Sequence, residues 1–230
     1  MTNAQQRFDV YSSAWLSGVS GDVIARLGAR SETRDYSQNE TVYALGGPQE
    51  WLWGLGRGRV KVLVAMNEME PVLGHIHHPG AWFGESELIH GIDGLVEMRT
   101  VEQCSITRIH FSRFEAIAND RPELWRAFAK LASMNQLLAM SAANDLALRT
   151  GRSRIVAALL RLCGRRGVVQ GSWMSDTVQA SQQDIASLGN LSLSNTSLHL
   201  SALAREGLIR LEYGRVVILE PDRLTDLVAG

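Results

Sequence analysis

Cysteine is scarce in this chain, and no long hydrophobic run is present. Of the 230 residues only Cys104 and Cys163 are cysteines, and neither has a second cysteine nearby in the sequence. A disulfide framework, a zinc ribbon and an iron–sulfur cluster therefore lack a ligand set. No stretch of about 18 apolar residues occurs, as a membrane-spanning helix would require. We therefore expect no membrane partner.

The beginning of the chain shows no pattern of an export signal. Residues Met1 to Phe8 are polar, where a signal would place a basic stretch followed by an apolar one. Together with the isolated cysteines, this predicts a cytoplasmic location.

Excess charge is also lacking, since the formal net charge is −1. The charge is nevertheless divided unevenly, because acids outnumber bases before residue 148 and bases outnumber acids after it. The imbalance is small enough to arise by chance, or it marks a C-terminal third that faces phosphate. The bases concerned are Arg149, Arg152, Arg154, Arg161, Arg165, Arg166, Arg205, Arg210, Arg215 and Arg223.

What is present predicts an α+β protein of more than one domain. A length of 230 residues with 45% hydrophobic residues fits two ordinary domains with packed cores. From Tyr36 to about Phe111, short apolar runs such as Val60–Val64 alternate with glycines, which predicts many short strands in a β-sandwich or a β-roll. A short helix is expected ahead of it, over Asp22–Leu27.

A long helix should follow the β-roll. Asp120 is expected to cap it, Pro122 to lie in its first turn, and its apolar pattern continues to about Leu148. Such a stripe is buried either on the chain's own β-roll or against a partner helix in a dimer. We favour the dimer, with close approach allowed at Met134, Leu137, Met140 and Ala142.

The segment "SQQDIASLGNLSLSNTSLHLSALAREGLI" predicts a helix-turn-helix after another helix over Ser153–Cys163. Ser181 and Asp184 form a capping-box pattern, and Gly189-Asn190 supply a sharp turn because both tolerate positive φ. Ser192 should cap the second helix, and Gly207 should end it. The strands of "LIRLEYGRVVILE" would then form a wing.

On a helical wheel, Thr196, His199, Leu200 and Leu203 share one face of the second helix, which should be core. The opposite face would meet the bases in a major groove, with asparagine suited to adenine and leucine to thymine methyl groups. The candidate DNA-binding residues, including one in the wing, are Ser192, Leu193, Ser194, Asn195, Ser197, Leu198, Ser201, Arg205 and Arg215.

Three stretches of the β-roll, "NETVYALGG", "WLWGLGRGRVKV" and "GAWFGESEL", precede the helix-turn-helix in this order. In this arrangement the chain resembles the CRP/FNR superfamily of bacterial transcription regulators over nearly all its length. The resemblance implies an effector-binding β-roll at 1–118, a long dimerisation helix at 119–148 and a winged helix-turn-helix at 149–230. It also implies a homodimer on palindromic double-stranded DNA, RNA polymerase as a further partner, and no enzymatic role.

The recognition helix departs from the family pattern. Family members often begin it with Ser-Arg-Glu-Thr, whereas this chain has Ser192-Leu193-Ser194-Asn195, and Leu198 stands where arginine is common. We therefore expect an operator that differs from the usual half-site. Discrimination at each base should fall below the roughly 1 to 3 kcal/mol of a bidentate arginine contact.

The effector pocket departs as well. Members that bind cyclic AMP use a Gly-Glu turn, here Gly84-Glu85 followed by Ser86, and an Arg-Ser/Thr-Ala step that neutralises the phosphate. In the ungapped register this step falls on Gly94-Leu95-Val96, which lacks the arginine. Arg99 is an alternative cation, although an odd shift of a strand exchanges its inward and outward side chains. No cofactor is assigned, and a cyclic nucleotide stays a less favoured alternative.

Two other interpretations of the β-roll stay open. One is that Trp51, Trp53 and Trp82 line an apolar cavity, although core packing is the favoured interpretation of these residues. His75 and His77 suggest a metal or haem sensor, or a cupin-like enzyme. The spacing from His77 to Glu85 is long for a cupin-type site, so no metal ligand is assigned.

Overall fold

A computed structural model describes residues 7–65, 71–167 and 174–228. The chain divides into two compact units, one of residues 1–72 and 76–136 and the other of residues 73–75 and 137–230. The predicted effector-binding domain includes residues 1–6, and the predicted winged helix-turn-helix domain includes residues 229–230. These residues lie outside the described ranges. Within the described ranges, no helix is long and apolar enough to cross a membrane.

The first unit begins with two short 3₁₀ turns and a helix and continues through eight strands around one short helix. It ends on one more helix and the first part of a long helix, whose residues after 136 belong to the second unit. In chain order these elements are the turns Val10–Ser12 and Ala14–Leu16, then α1 Gly21–Arg30, β1 Glu32–Tyr36, β2 Thr41–Tyr43, β3 Trp51–Arg57, β4 Val60–Val64, β5 Val72–His77, β6 Trp82–Phe83, α2 Glu85–His90, β7 Val96–Thr100, β8 Cys104–His110, α3 Phe111–Asp120 and α4 Glu123–Leu146. The β-roll, one of the two arrangements that the glycine-punctuated apolar runs predict, is confirmed.

The eight strands form two four-stranded sheets. Their orders are β1-β8-β3-β6 and β2-β7-β4-β5. Pairing in the first sheet is antiparallel, with Leu52 opposite Ile109 and Leu55 opposite Ile106. Alternate side chains of such strands point to opposite faces, and the buried ones form a core that includes Met98 and Phe83. Glycine at position 54 is needed because a Cβ there would lie 2.5 Å from the ring of Trp82.

The predicted start of the long helix is wrong. Asp120 is the last residue of α3 and does not cap α4, which begins at Glu123. The helical conformation is interrupted between α3 and α4 because Pro122 has no amide hydrogen and restricts the backbone of the residue before it. The 24 residues of α4 span about 36 Å. Leu124, Phe128 and Leu131 are buried as the apolar pattern requires.

The second unit contains four short helices and a small sheet after the end of α4. Its elements are α5 Gly151–Leu162, β9 Thr177–Val178, α6 Gln182–Leu188, α7 Leu193–Arg205, β10 Ile209–Glu212, β11 Arg215–Ile218 and α8 Pro221–Asp226. The three strands pair antiparallel in the order β10-β11-β9. The core is dominated by α5, in which Ile155, Val156 and Leu159 are fully buried.

A buried ion-pair network joins the end of α4 to α5 and the residues after it. Asp145 accepts a hydrogen bond from Arg161 at 2.9 Å and another from Arg166 at 2.6 Å. The side chains of Asp145 and Arg161 are each only 1% exposed. Since a buried charge is costly unless it is paired, neither guanidinium nor carboxylate tolerates the loss of its partner.

We predict that Asp145→Asn lowers the free energy of unfolding of the second unit by about 3 to 5 kcal/mol, because the buried Arg161 guanidinium and the partly buried Arg166 guanidinium lose their counter-ion. Amide hydrogen exchange along α5 measures this free energy directly. The matched control is Asp176→Asn, which breaks the pair with Arg165 where the carboxylate is 65% exposed. That change should cost at most about 1 kcal/mol. Equal losses in the two variants would contradict the assignment.

Candidate nucleic-acid interface and effector pocket

Helix α6 begins with the capping box that the sequence predicts. The Ser181 hydroxyl accepts from the Asp184 amide at 3.1 Å, and the Asp184 carboxylate accepts from the Ser181 amide at 3.3 Å. The helix then buries Ile185 and Leu188. Two otherwise unpaired amides at the helix start are thereby satisfied, which fixes where α6 begins.

The turn between α6 and α7 uses one left-handed residue. The sharp turn expected at Gly189-Asn190 is present, and of the two residues only Asn190 adopts positive φ, at 48°, whereas Gly189 has φ −88°. Glycine at 189 also gives a close approach, since a Cβ there would lie 3.0 Å from the Cδ1 atom of Ile155, which would have to shift slightly. The turn therefore lets α6 approach α5 closely.

Helix α7 has its predicted ends and its predicted inner face. Ser192 accepts from the Asn195 amide at 3.3 Å, and Gly207 has φ 72° just after the helix. Thr196, Leu200 and Leu203 are each 0% exposed. His199 was expected in the core and is only partly buried.

The opposite face of α7 presents hydroxyl, amide and methyl groups. Ser197 is partly buried, and Leu198 is 67% exposed. The only cation of the helix is Arg205, in its last turn. The candidate DNA-binding residues that are exposed on α7 or at its cap are Ser192, Leu193, Ser194, Asn195, Leu198, Ser201 and Arg205.

The wing consists of β10 and β11, joined by Tyr213 and Gly214. Arg215 is exposed as expected, but its guanidinium is paired with Glu212 at 2.5 Å. Arg210 donates to the same carboxylate at 2.9 Å. Sequence reasoning named Arg210 only among the bases of the C-terminal third and did not single out Glu212. The alternation of strand side chains could have placed these two residues on one face.

The Gly-Glu turn of the β-roll places two carboxylates in the interior. Gly84 has φ 95° at the start of α2, and Glu85 and Glu87 are each 4% exposed, whereas Ser86 is exposed. Burial raises the pKa of the Glu85 carboxyl, and hydrogen bonds from Asn135, its own backbone amide and Ser86 oppose that rise. The pKa of Tyr43 is raised by burial and by both carboxylates.

Gly94-Leu95-Val96, the stretch that aligns with the phosphate-binding step of the family, has no cationic side chain. Gly94 is buried and hydrogen-bonded to the backbone of Gly46 and Gly47, at 2.8 Å each. A Cβ at position 94 would lie 2.7 Å from the Ala44 carbonyl oxygen, so an arginine does not fit there without a backbone shift. Leu95 donates its amide to the Glu87 carboxylate at 3.2 Å. The donor nearest this step is thus already occupied by an internal anion.

Arg99 is the alternative cation for this step. In β7 the side chains of Met98 and Thr100 are buried, whereas that of Arg99 is exposed, as strand alternation requires. Its guanidinium is paired with Glu97 at 2.5 Å. The Arg99 side chain is therefore on the face of β7 opposite to Met98 and Thr100, and its assignment to the effector pocket stays a prediction. Val96 packs on the core, while Leu95 is 52% exposed.

The tryptophans belong largely to the core. Trp82 is 3% exposed and donates its indole N–H to the Val10 carbonyl at 3.0 Å. Trp53 is 4% exposed, and Trp51 is partly buried under the Arg108 guanidinium. Sequence reasoning missed Asn135, which donates to the Trp82 carbonyl at 3.0 Å and bonds the Glu85 side chain. It connects the Gly-Glu turn to α4.

The histidines of β5 lie in different surroundings. His75 is partly buried, whereas His77 is 7% exposed and stacks on Phe83 with ring centroids 5.5 Å apart. Burial lowers the pKa of His77 to about 4. Among the described residues, no group of three or more His, Cys, Asp or Glu side chains is arranged to hold a metal ion.

Two family models match the chain. The cyclic nucleotide-binding domain matches residues 33–121, and the Crp-like helix-turn-helix domain matches residues 153–227. The first covers the two sheets with the Gly-Glu turn, and the second covers α5 to α8.

Characterised proteins are similar over most of their length. The CRP-like cAMP-activated global transcriptional regulator of Mycobacterium tuberculosis is 25% identical over 90% of this chain and 92% of its own. The nitrogen fixation regulation protein FixK of Azorhizobium caulinodans is 26% identical over 88% of this chain and 82% of its own. The structure of FixK2 from Bradyrhizobium japonicum superposes with a TM-score of 0.75 at 21% identity, over 87% of this chain and 98% of that one.

We predict that His77 makes stability depend on pH in acid. Its folded pKa of about 4 lies below the unfolded value of 6.5, so the unfolded state takes up the proton first. The full stability is therefore present above pH 6.5 and decreases as the pH falls. The loss in free energy of unfolding reaches about 3 kcal/mol at pH 4. Urea unfolding between pH 7 and pH 4 measures it.

His77→Phe should flatten that dependence, whereas the exposed His90→Gln should keep the wild-type slope. If both variants kept the wild-type slope, the buried neutral imidazole would be excluded as its origin.

Proposed function

Because the chain belongs to the CRP/FNR family of transcription regulators, we propose that it acts as a homodimer on palindromic double-stranded DNA. Its helix-turn-helix is the DNA-binding part, and the relatives it matches are regulators and not enzymes. Activity on DNA places it in the cytoplasm, and RNA polymerase is a further partner of such a regulator.

The observation that carries this proposal is the division of α7 into two faces. Burial of Thr196, Leu200 and Leu203 leaves the serine-rich face open. When α7 lies in a major groove, Asn195 pairs with adenine, serines accept from or donate to either base, and Leu198 contacts a thymine methyl group. Bidentate guanine contacts are absent from this set, so the preferred half-site is rich in A·T pairs.

The C-terminal part of α4 supports the dimer. Met140 is 59% exposed and Leu146 is 45% exposed, while Leu137 and Leu138 are only partly buried. A second copy of α4 packed against this stripe removes the apolar surface from water. A twofold dimer then offers two α7 helices to half-sites about 34 Å apart, a geometry taken from the docking of helix-turn-helix dimers in general.

The β-roll supports regulation that does not use the usual phosphate clamp. Glu85 and Glu87 are buried, Gly94 leaves no room for an arginine, and Arg99 is on the outer face. A buried phosphate beside two carboxylates lacks a counter-ion and is strongly disfavoured. We propose that occupancy or rearrangement of this turn biases α4 through Asn135, in a two-state equilibrium.

A second candidate function is regulation by a cyclic nucleotide. It is favoured by the match of the β-roll to the cyclic nucleotide-binding domain and by the name of the mycobacterial relative, a cAMP-activated regulator. The Gly-Glu turn that would accept ribose hydroxyl groups is retained at Gly84-Glu85.

Selection from a random DNA pool, at a stated salt concentration, should enrich a palindrome rich in A·T pairs. Leu198→Arg adds a guanidinium to the exposed face of α7, so its enriched site should gain a G·C pair with discrimination of about 1 to 3 kcal/mol. Gln38→Arg adds the same charge on the β-roll and should enrich the wild-type site. Enrichment of no sequence, with binding independent of salt, would contradict the proposal.

Calorimetry separates the two candidate modes of regulation. We expect no heat of binding with cyclic AMP or cyclic GMP up to millimolar concentration, because the phosphate has no cation to meet. The mycobacterial relative serves as the positive control with cyclic AMP. Micromolar binding to this chain would establish the cyclic-nucleotide mode and overturn our reading of the turn.

A further inference from the structure

The wing carries a charged cluster on one face of its hairpin. Arg210 and Glu212 are two residues apart in β10, and Arg215 is directly opposite Glu212 in β11, so all three side chains share a face. Both guanidinium groups donate to the single carboxylate, Arg210 to Oε1 at 2.9 Å and Arg215 to Oε2 at 2.5 Å. The cluster therefore holds two cations on one anion.

The cluster is open to solvent. The side chains of Arg210 and Arg215 are 59% and 51% exposed. The hairpin ends in Tyr213, which is fully exposed, and in Gly214, whose φ of 69° allows the short turn. An exposed tyrosine flanked by arginines fits the sugar–phosphate backbone, where planar guanidinium groups bind phosphate bidentately.

Outside the wing, four arginines of the second unit are held by carboxylates. Arg152 forms two hydrogen bonds of 2.6 Å with Glu206, Arg165 pairs with Asp176, and Arg161 and Arg166 share Asp145. The base-facing surface of α7 contributes one cation, Arg205. Since phosphate neutralisation supplies much of the affinity of DNA-binding proteins, the wing cations matter more here than in a helix rich in arginine.

We propose that Glu212 restrains the contact of the wing with the DNA backbone, by competing with DNA phosphate for Arg210 and Arg215. This inference rests on the DNA-binding function proposed above. The guanidinium groups hold the pKa of the Glu212 carboxyl below its usual range, so the carboxylate stays charged at neutral pH. Exposed ion pairs are weak, which allows a phosphate to displace Glu212.

The test is Glu212→Gln, which keeps the shape of the side chain and removes its charge. Fluorescence anisotropy with a 30-base-pair duplex, either selected or of arbitrary sequence, gives Kd over a salt series. We expect Glu212→Gln to bind about 5 to 10 times more tightly at low salt, with a log–log salt slope steeper by about 1. Arg210→Gln and Arg215→Gln should each make the wild-type slope shallower by about 1.

The matched control is Asp176→Asn, which also removes one carboxylate paired with an arginine of this unit, but outside the wing. Equal effects of Asp176→Asn and Glu212→Gln would reduce the result to net charge and overturn the inference. So would arginine variants that bind with unchanged slope, a test that does not depend on how Glu212→Gln folds. Failure of the wild type to bind any duplex would instead overturn the proposed function itself.

Discussion

The packing of α7 against its own unit is the constraint on which the rest of the account depends. Thr196, Leu200 and Leu203 are completely buried where α5 and α6 meet the helix. Their burial prevents α7 from rotating about its axis, because rotation would expose these side chains and bury serines. The close approach of α6 to α5 at Gly189 completes this arrangement. The chemistry that α7 offers to a partner is therefore set by its core side.

Most of the positive charge of the second unit lies outside α7, and carboxylates within the unit pair with much of it. The exposed face of the helix supplies shape, hydrogen bonds and one cation, Arg205, while the other arginines lie on α5, on α8, on the wing and in the segments that flank α5. Most of them are held by carboxylates whose pairs are exposed and exchangeable, except at Asp145, where burial makes the pairing structural. The β-roll differs from the second unit in its charge, since its interior turn contains the carboxylates of Glu85 and Glu87 and no arginine.

Local signals in the sequence were sufficient for the ends of α6 and α7, because caps depend on residues only a few positions apart. The start of α4 was misplaced because an apolar pattern does not show that Pro122 separates two helices. The position of Arg99 could not be predicted from sequence spacing alone, because the face on which its side chain lies depends on the alternation of side chains along β7. Glu87 could not be found at all, because its role depends on a contact with Leu95 that only the folded turn creates.

Directed cleavage of DNA tests most directly whether the serine face of α7 enters the major groove. Burial raises the pKa of both native thiols, Cys104 and Cys163, to about 11, so a cysteine introduced by Ser201→Cys can be labelled selectively with an iron chelate. On the selected duplex, we expect cleavage centred in each half-site and facing the major groove. Cleavage no stronger than that from Ser86→Cys on the β-roll would contradict the account.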